Sequence, residues 1–222
     1  MSKREEAKAD RRRRIVHAAR DLIRETGDAG LSMRAIAARA GVSLATPYNL
    51  FGSKRAVVLA VLEDIREFHE RFSALHQVSA VDRIFQAVSI SISYYVEDQA
   101  FYRTLWTAVL DMSGKEVRSA LITPERDAFW RALISAAARE GAILPEMDID
   151  LLLRDLDFTF GAAMLNWVLG SISAEELEPA VGYGYALTLR GAATDEYQAR
   201  LAKKVVQYQK RLTQLRRRAV AA

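Results

Sequence analysis

The chain has 222 residues, 50% of them hydrophobic and 27% charged, which suits one small and one larger globular unit. It contains no cysteine, which excludes disulfides, thiolate metal sites and cysteine nucleophiles. Residues 1–14 are almost wholly polar, and no stretch approaches the roughly 20 apolar residues of a membrane span. We therefore expect a cytoplasmic protein with no signal peptide and no membrane segment.

The net charge of +4 is distributed unevenly along the chain. Residues 1–60 carry 13 Lys and Arg against 6 Asp and Glu, residues 61–192 carry 11 against 20, and residues 193–222 carry 8 against 2. A basic head on an acidic body is typical of a protein whose head meets a polyanion. Solvated surface would give the same totals, so charge alone leaves both interpretations open.

Apolar residues recur at intervals of three and four, and no alternating strand pattern lies between turn signals. Thr123 followed by Pro124, and Ser173 followed by Glu176, are typical helix starts. We therefore predict an all-α protein with helices at 5–26, 33–40, 44–50, 54–77, 81–97, 99–112, 124–141, 149–170, 174–190 and 194–218.

The segment from Leu31 to Lys54 has the pattern of two short helices joined by a tight turn. Ser32 is expected to cap the first helix, Gly41 to allow the turn and Ser43 to cap the second. Two ordinary buried helices would explain the apolar positions but not the polar side chains beside a basic head. We predict a three-helix helix-turn-helix domain over residues 1–55, closed by the apolar stripe Ile15, Ala18, Ala19, Leu22 and Ile23.

In a helix-turn-helix the second helix enters the major groove and its first residues meet base edges. Lys54 starts the next helix, where its ammonium group and the helix N-terminus can hold one phosphate. Residues 11–14, all arginine, can reach the backbone or an adjacent minor groove. The predicted DNA-binding residues are Arg14, Ser32, Arg34, Ser43, Leu44, Thr46, Tyr48, Asn49 and Lys54.

The segment from Arg14 to Leu59 resembles the TetR/AcrR family of transcription regulators. The matching positions are an Ile-x-x-Ala-Ala opening, then Gly27, Ile36-Ala37, Ala40-Gly41-Val42-Ser43, Thr46, Tyr48, Phe51 and Ser53-Lys54. The resemblance implies that Thr46, Tyr48 and Lys54 contact DNA phosphates and that Phe51 packs the short helices onto the next one. It also implies that the remaining helices hold a small-molecule pocket and a dimer interface.

Three residues depart from the family pattern. The family usually has glycine at Ala45, an aliphatic residue at Pro47 and often an aromatic at Leu50. Pro47 is expected about four residues into its helix, where it would remove roughly one backbone hydrogen bond. These departures make the base-reading pattern hard to transfer.

The remaining residues, 56–222, are predicted to form a helical-bundle domain for effector binding and dimerisation. Helix 149–170 is apolar on two faces, and its own core can usually take only one. The second face is expected to meet the same helix of another subunit, although burial in one monomer core stays open. Gly161, Gly182 and Gly184 would permit close helix crossing. The second face comprises Leu151, Phe158, Ala162, Leu165 and Leu169.

Aromatic residues cluster in 94–106 and 129–167. Each alone is more often core than ligand wall, but with two polar residues they suggest a pocket for an apolar or aromatic effector. The predicted effector-binding residues are Tyr94, Tyr95, Phe101, Tyr102, Arg103, Trp106, Phe129, Trp130, Phe158, Asn166 and Trp167.

No nucleophile–base pair, carboxylate dyad or phosphate-binding glycine loop is present, so we predict no enzyme. His17, His69 and His76 are interpreted as surface or packing residues, with no metal or cofactor. Helix 194–218 can dock on its own subunit, reinforce a dimer or lie on a membrane surface.

We predict a homodimeric repressor that binds double-stranded DNA and is released from a palindromic operator by a small apolar effector. The alternatives are an all-helical small-molecule-binding protein or enzyme, a regulator controlled by a protein partner, and an activator.

Overall fold

The computed structural model describes residues 2–27, 31–62, 78–110 and 124–221, and within these ranges the chain is helical. An isolated antiparallel bridge, Ile143 to Ala193, is the only β-pairing there. The predicted helices match the observed ones within three residues, except that 63–77 and 111–112 lie outside the described residues. The all-α prediction is confirmed. The helices are α1 Lys3–Thr26, α2 Met33–Ala40, α3 Ala45–Phe51, α4 Lys54–Leu62, α5 Ala80–Glu97, α6 Gln99–Leu110, α7 Pro124–Arg139, α8 Ile149–Val168, α9 Ala174–Gly191 and α10 Asp195–Ala221.

The chain divides into two compact units, one with α1–α4 and α6, the other with α5 and α7–α10. The core of the first unit includes the predicted stripe of α1, from Ile15 to Ile23, and the fully buried Ile36 of α2. Val57 of α4 and Phe101 of α6 belong to the same core. The first unit therefore continues past residue 55, where the sequence suggested a domain boundary.

The second unit depends on close helix crossings at two glycines of α9. A Cβ built on Gly182 would lie 2.5 Å from Cε1 of the Tyr208 ring in α10, and one built on Gly184 would overlap Cγ2 of Thr159 in α8. Glycine allows this approach because it carries no side chain. These two glycines therefore serve crossings within one chain.

Helix α10 docks on its own subunit, as one of the three sequence interpretations proposed. Its residues Leu201, Val205 and Tyr208 are buried, and the Tyr208 ring stacks on Phe85 of α5 with a centroid distance of 6.0 Å. Lys204 Nζ lies 3.1 Å from the Asp82 carboxylate of α5. No helix within the described ranges is long and apolar enough to cross a membrane.

Candidate nucleic-acid interface and effector region

The turn between α2 and α3 has the geometry that the sequence predicted. Ser32 Oγ accepts a hydrogen bond from the Ala35 amide at 3.1 Å and caps α2. Gly41 is left-handed, with φ 63° and ψ 41°, and the Val42 amide donates to the Ala37 carbonyl at 3.0 Å. This closing pattern ends a helix and reverses the chain within two residues.

The start of α3 differs from the prediction by one residue. Leu44 occupies the N-cap position and offers no capping side chain, so the expectation that Ser43 caps this helix is wrong. The Ser43 hydroxyl instead forms a hydrogen bond of 2.9 Å with the Thr46 hydroxyl, while the Thr46 amide donates to the Ser43 carbonyl. Two predicted DNA-binding side chains are thereby held next to each other.

Pro47 costs α3 less than the sequence suggested. It is the third residue of the helix, within the first turn, whose amides have no acceptor inside the helix. A proline there removes no helical hydrogen bond, so the expected loss is wrong. Its ring is the buried residue of α3 and packs the helix onto the domain.

Most predicted DNA-binding residues lie at the surface of the helix-turn-helix. Tyr48 is 50% exposed and Leu44 is 44% exposed, which is unusual for large apolar side chains unless another molecule covers them. Ser53 caps α4 by accepting from the Ala56 amide at 3.2 Å. Among the others, Ser32, Arg34, Ser43 and Asn49 are exposed, and Thr46 and Lys54 are half-buried.

Two arginines of α1 turn toward the helix-turn-helix itself. Arg12 Nη1 donates to the Leu50 carbonyl at 3.1 Å, and its guanidinium lies 4.2 Å from the centroid of the Phe51 ring. Arg14 Nη1 donates to the Ala40 carbonyl at 3.3 Å. The sequence placed the whole run 11–14 near DNA phosphates and gave no signal for these contacts.

An ion pair joins α1 to α2 on the same domain. Arg39 donates from both Nη atoms to the two carboxylate oxygens of Glu25, at 2.9 and 2.6 Å. The hydrogen bond from Arg39 holds the pKa of Glu25 below its ordinary value. Such a two-pronged pair fixes the relative orientation of the two side chains.

The predicted effector residues fall into both units, and each group is described by itself. In the first unit, Phe101 is buried in the core and packs edge-on against Tyr102, with a centroid distance of 5.0 Å. Arg103 and Trp106 lie on the same helix, α6, and Trp106 is buried.

In the second unit, two aromatic groups form. The Tyr95 ring lies 6.2 Å from Phe160 and 6.3 Å from Trp167. Tyr94 precedes Tyr95 on α5. Phe129 packs against Trp130, and Trp130 meets the buried Tyr185 at 6.2 Å. Phe158 and Asn166 are exposed, and the Asn166 amide donates to the Ala162 carbonyl of its own helix.

A charged pair from α7 and α8 lies beside these rings, and the sequence reading missed it. Asp157 is 17% exposed at its side chain and lies 3.7 Å from Arg126, whose guanidinium sits 5.1 Å from the Phe160 ring centroid. Burial raises the pKa of Asp157, and the positive charge of Arg126 opposes that rise. Among the described residues, Asp157 accepts no hydrogen bond. The only hint in the sequence is an acid in the middle of an otherwise apolar helix.

One face of α8 is apolar and exposed. Leu151 is 58% exposed, Phe158 64% and Leu169 67%, and Leu165 lies on the same face. These are the residues of the predicted second stripe. An exposed apolar stripe of this length is typical of an interaction surface.

The remaining predicted features are quickly placed. His17 is exposed, whereas His69 and His76 lie outside the described residues. In the described ranges, no group of three or more acidic or histidine side chains is arranged to hold a metal ion.

Residues 15–61 match the family described as bacterial regulatory proteins, tetR family. A search of curated proteins finds no match. Among solved structures, the chain is similar to TylP, a TetR regulator from Streptomyces fradiae, with 22% identity, a TM-score of 0.61, and coverage of 97% of this chain and 94% of that chain.

Two further solved structures are similar to this chain. Thermus thermophilus FadR, a TetR-family transcriptional repressor in complex with lauroyl-CoA, has 20% identity, a TM-score of 0.66, and coverage of 81% of this chain and 94% of that chain. SmeT, the repressor of the Stenotrophomonas maltophilia multidrug efflux pump SmeDEF, has 21% identity, a TM-score of 0.57, and coverage of 83% and 91%. Such identities establish a shared fold. The chain therefore carries the DNA-binding domain of the TetR family of bacterial regulatory proteins, followed by helices in the fold of TetR-family regulators.

Proposed function

We propose that this protein is a homodimeric repressor that binds a palindromic operator through α3 and releases it when a small molecule binds the second unit. The observation that carries the DNA-binding part is the surface of the helix-turn-helix. There Leu44 and Tyr48 are exposed on the recognition helix, with Lys54 at the start of the next helix. Such residues can contact base edges and phosphates in a major groove.

The DNA-binding proposal is tested with a labelled duplex that the wild-type protein enriches from a random pool. We expect Tyr48→Ala combined with Lys54→Ala to weaken binding at least about tenfold and to reduce the salt slope by about one, because one phosphate contact is lost. Lys203→Ala is the matched control, because it removes one exposed positive charge from α10. Equal binding by wild type and the double variant would refute the assignment.

The dimer rests on the exposed face of α8. Leu151, Phe158, Leu165 and Leu169 are spaced by seven, seven and four residues, so they lie along one side of the helix. The same face on a second copy supplies an equally apolar and self-complementary surface, as a two-fold interface requires. Two helix-turn-helix domains related by that symmetry would reach half-sites about 34–36 Å apart.

The effector site is proposed to lie among the rings of the second unit, with Asp157 and Arg126 at its polar end. A carboxylate that is mostly buried and accepts no hydrogen bond from the described residues favours a ligand that carries a donor. The surrounding rings favour an aromatic or apolar body. We therefore propose an aromatic effector that bears a hydroxyl, amide or protonated amine group. The lauroyl-CoA complex of FadR supports a small-molecule site in this fold.

Trp130 and Trp167 provide the readout for this effector proposal. We expect 2-naphthylmethylamine to quench tryptophan fluorescence at lower concentration than 2-methylnaphthalene, which has no donor. Asp157→Leu should abolish that preference, whereas Asp155→Leu, on the same helix, should retain it. Equal affinity of the two probes for the wild-type protein would contradict the proposed role of Asp157.

A further inference from the structure

Helix α3 contains few features that would fix its orientation by itself. It has seven residues, no side-chain N-cap and one buried residue, Pro47. Isolated helices of this length are not stable in water, so the position of α3 depends on contacts with the rest of the domain. A recognition helix must nevertheless be held rigidly, because its side chains read base edges at fixed positions.

Arg12 of α1 supplies a contact at the C-terminal end of α3. The last carbonyls of a helix have no amide partner within it, and Arg12 Nη1 donates to one of them, the Leu50 carbonyl, at 3.1 Å. The positive guanidinium also lies at the negative end of the helix dipole. The Arg12 side chain therefore satisfies a carbonyl that water would otherwise have to hydrate.

The same guanidinium covers the next residue of α3. Its central carbon lies 4.2 Å from the Phe51 ring centroid, within cation–π distance, and Phe51 packs against the core of the first unit. Two successive residues at the end of α3 are thus bound by one side chain. By contrast, Arg13 binds only Asp10 of its own helix, at 3.2 Å, and its side chain is 59% exposed.

We propose that Arg12 is a positioning residue for DNA recognition, which fixes the C-terminal end of α3 and does not itself bind a phosphate. This inference rests on the proposed DNA-binding function. Loss of Arg12 would let α3 tilt, and base-edge contacts would weaken, whereas contacts to phosphates would be largely retained. The sequence reading assigned the opposite role to this arginine run, so the two roles can be separated by experiment.

The test compares Arg12→Ala, Arg12→Lys and the neighbouring control Arg13→Ala. Each is titrated against the duplex enriched by the wild-type protein and against a scrambled duplex, from 50 to 300 mM salt. We expect Arg12→Ala to bind the enriched duplex about tenfold more weakly, since a charge-assisted hydrogen bond is lost. Its salt slope should equal that of wild type, and its affinity for the scrambled duplex should be unchanged.

Arg12→Lys keeps the positive charge but lacks the planar group that donates to the carbonyl and stacks on the ring. A positioning role predicts weakened binding to the enriched duplex for this variant too, whereas a phosphate contact predicts wild-type binding. This variant also keeps the proposal testable if Arg12→Ala does not fold, as judged by its circular dichroism. Arg13→Ala should keep the wild-type preference for the enriched duplex.

Either of two results would overturn the inference. One is a salt slope lowered by about one in Arg12→Ala, with equal losses on both duplexes, which is the behaviour of a phosphate contact. The other is unchanged affinity in both Arg12 variants. If the wild-type protein enriches no duplex at all, the DNA-binding proposal itself fails, and the role of Arg12 fails with it.

Discussion

Replacing Gly182 with alanine should destabilise the second unit, because the space that a methyl group needs is occupied by the Tyr208 ring. The new Cβ would lie 2.5 Å from Cε1 and 2.8 Å from Cε2 of that ring, whereas ordinary contact begins near 3.4 Å. The ring cannot turn aside freely, because it is 8% exposed and stacked on Phe85.

The magnitude follows from two opposing effects. Overpacking a close contact costs about 1–3 kcal/mol. Alanine is better than glycine inside a helix by about 1 kcal/mol, which offsets part of that cost. We expect Gly182→Ala to lower the free energy of unfolding by about 1–2 kcal/mol, measured by urea denaturation at fixed protein concentration.

A double-mutant cycle separates the steric cause from any other. Tyr208→Ala alone should cost about 3–5 kcal/mol, as for other buried aromatic residues. In that background, Gly182→Ala should become neutral or stabilising by up to about 1 kcal/mol, because no ring remains to clash and only the helix preference acts. The same loss in both backgrounds would refute the close packing of α9 against α10.

Three further results are expected. Phe158→Glu should convert the dimer to monomer in sedimentation experiments, whereas Val206→Glu, at a 48% exposed position on α10, should not; a dimeric Phe158→Glu would contradict the proposed interface. Gly41→Ala should cost about 1–2 kcal/mol because this position is left-handed, and an unchanged thermal midpoint would argue against that turn. Burial raises the pKa of Tyr208 to about 12, whereas unfolded tyrosines ionise near pH 10. Stability from this residue should therefore be complete below about pH 10 and fall as pH rises toward 12. Tyr208→Phe should lose less stability over that interval, and an identical alkaline loss would count against the buried ring.

The helices and the helix-turn-helix could be predicted from local signals. Apolar spacing identified the helices, and Ser32 and Gly41 marked the two ends of α2 because capping and left-handed turns depend on residues close in sequence. Pro47 was placed too deep in its helix, since the start of α3 is set one residue later than Ser43 suggested.

Contacts between distant residues could not be predicted in this way. Arg12 is followed by two further arginines, and nothing local indicates that it reaches a carbonyl 38 residues away. The crossing of α9 over Thr159 and Tyr208 likewise depends on which helices become neighbours. Phe158 fits both the predicted pocket and the predicted dimer face, and its exposure favours the second.

Hydroxyl-radical footprinting of the wild-type protein on its enriched duplex tests the central claim most directly. A dimeric helix-turn-helix protein predicts two equivalent protected segments on one face of the DNA, related by two-fold symmetry and about one helical turn apart or a multiple of it. Tyr48→Ala combined with Lys54→Ala should remove both segments together. A single unsymmetrical protected segment, or none, would contradict the proposal of a dimeric operator-binding regulator.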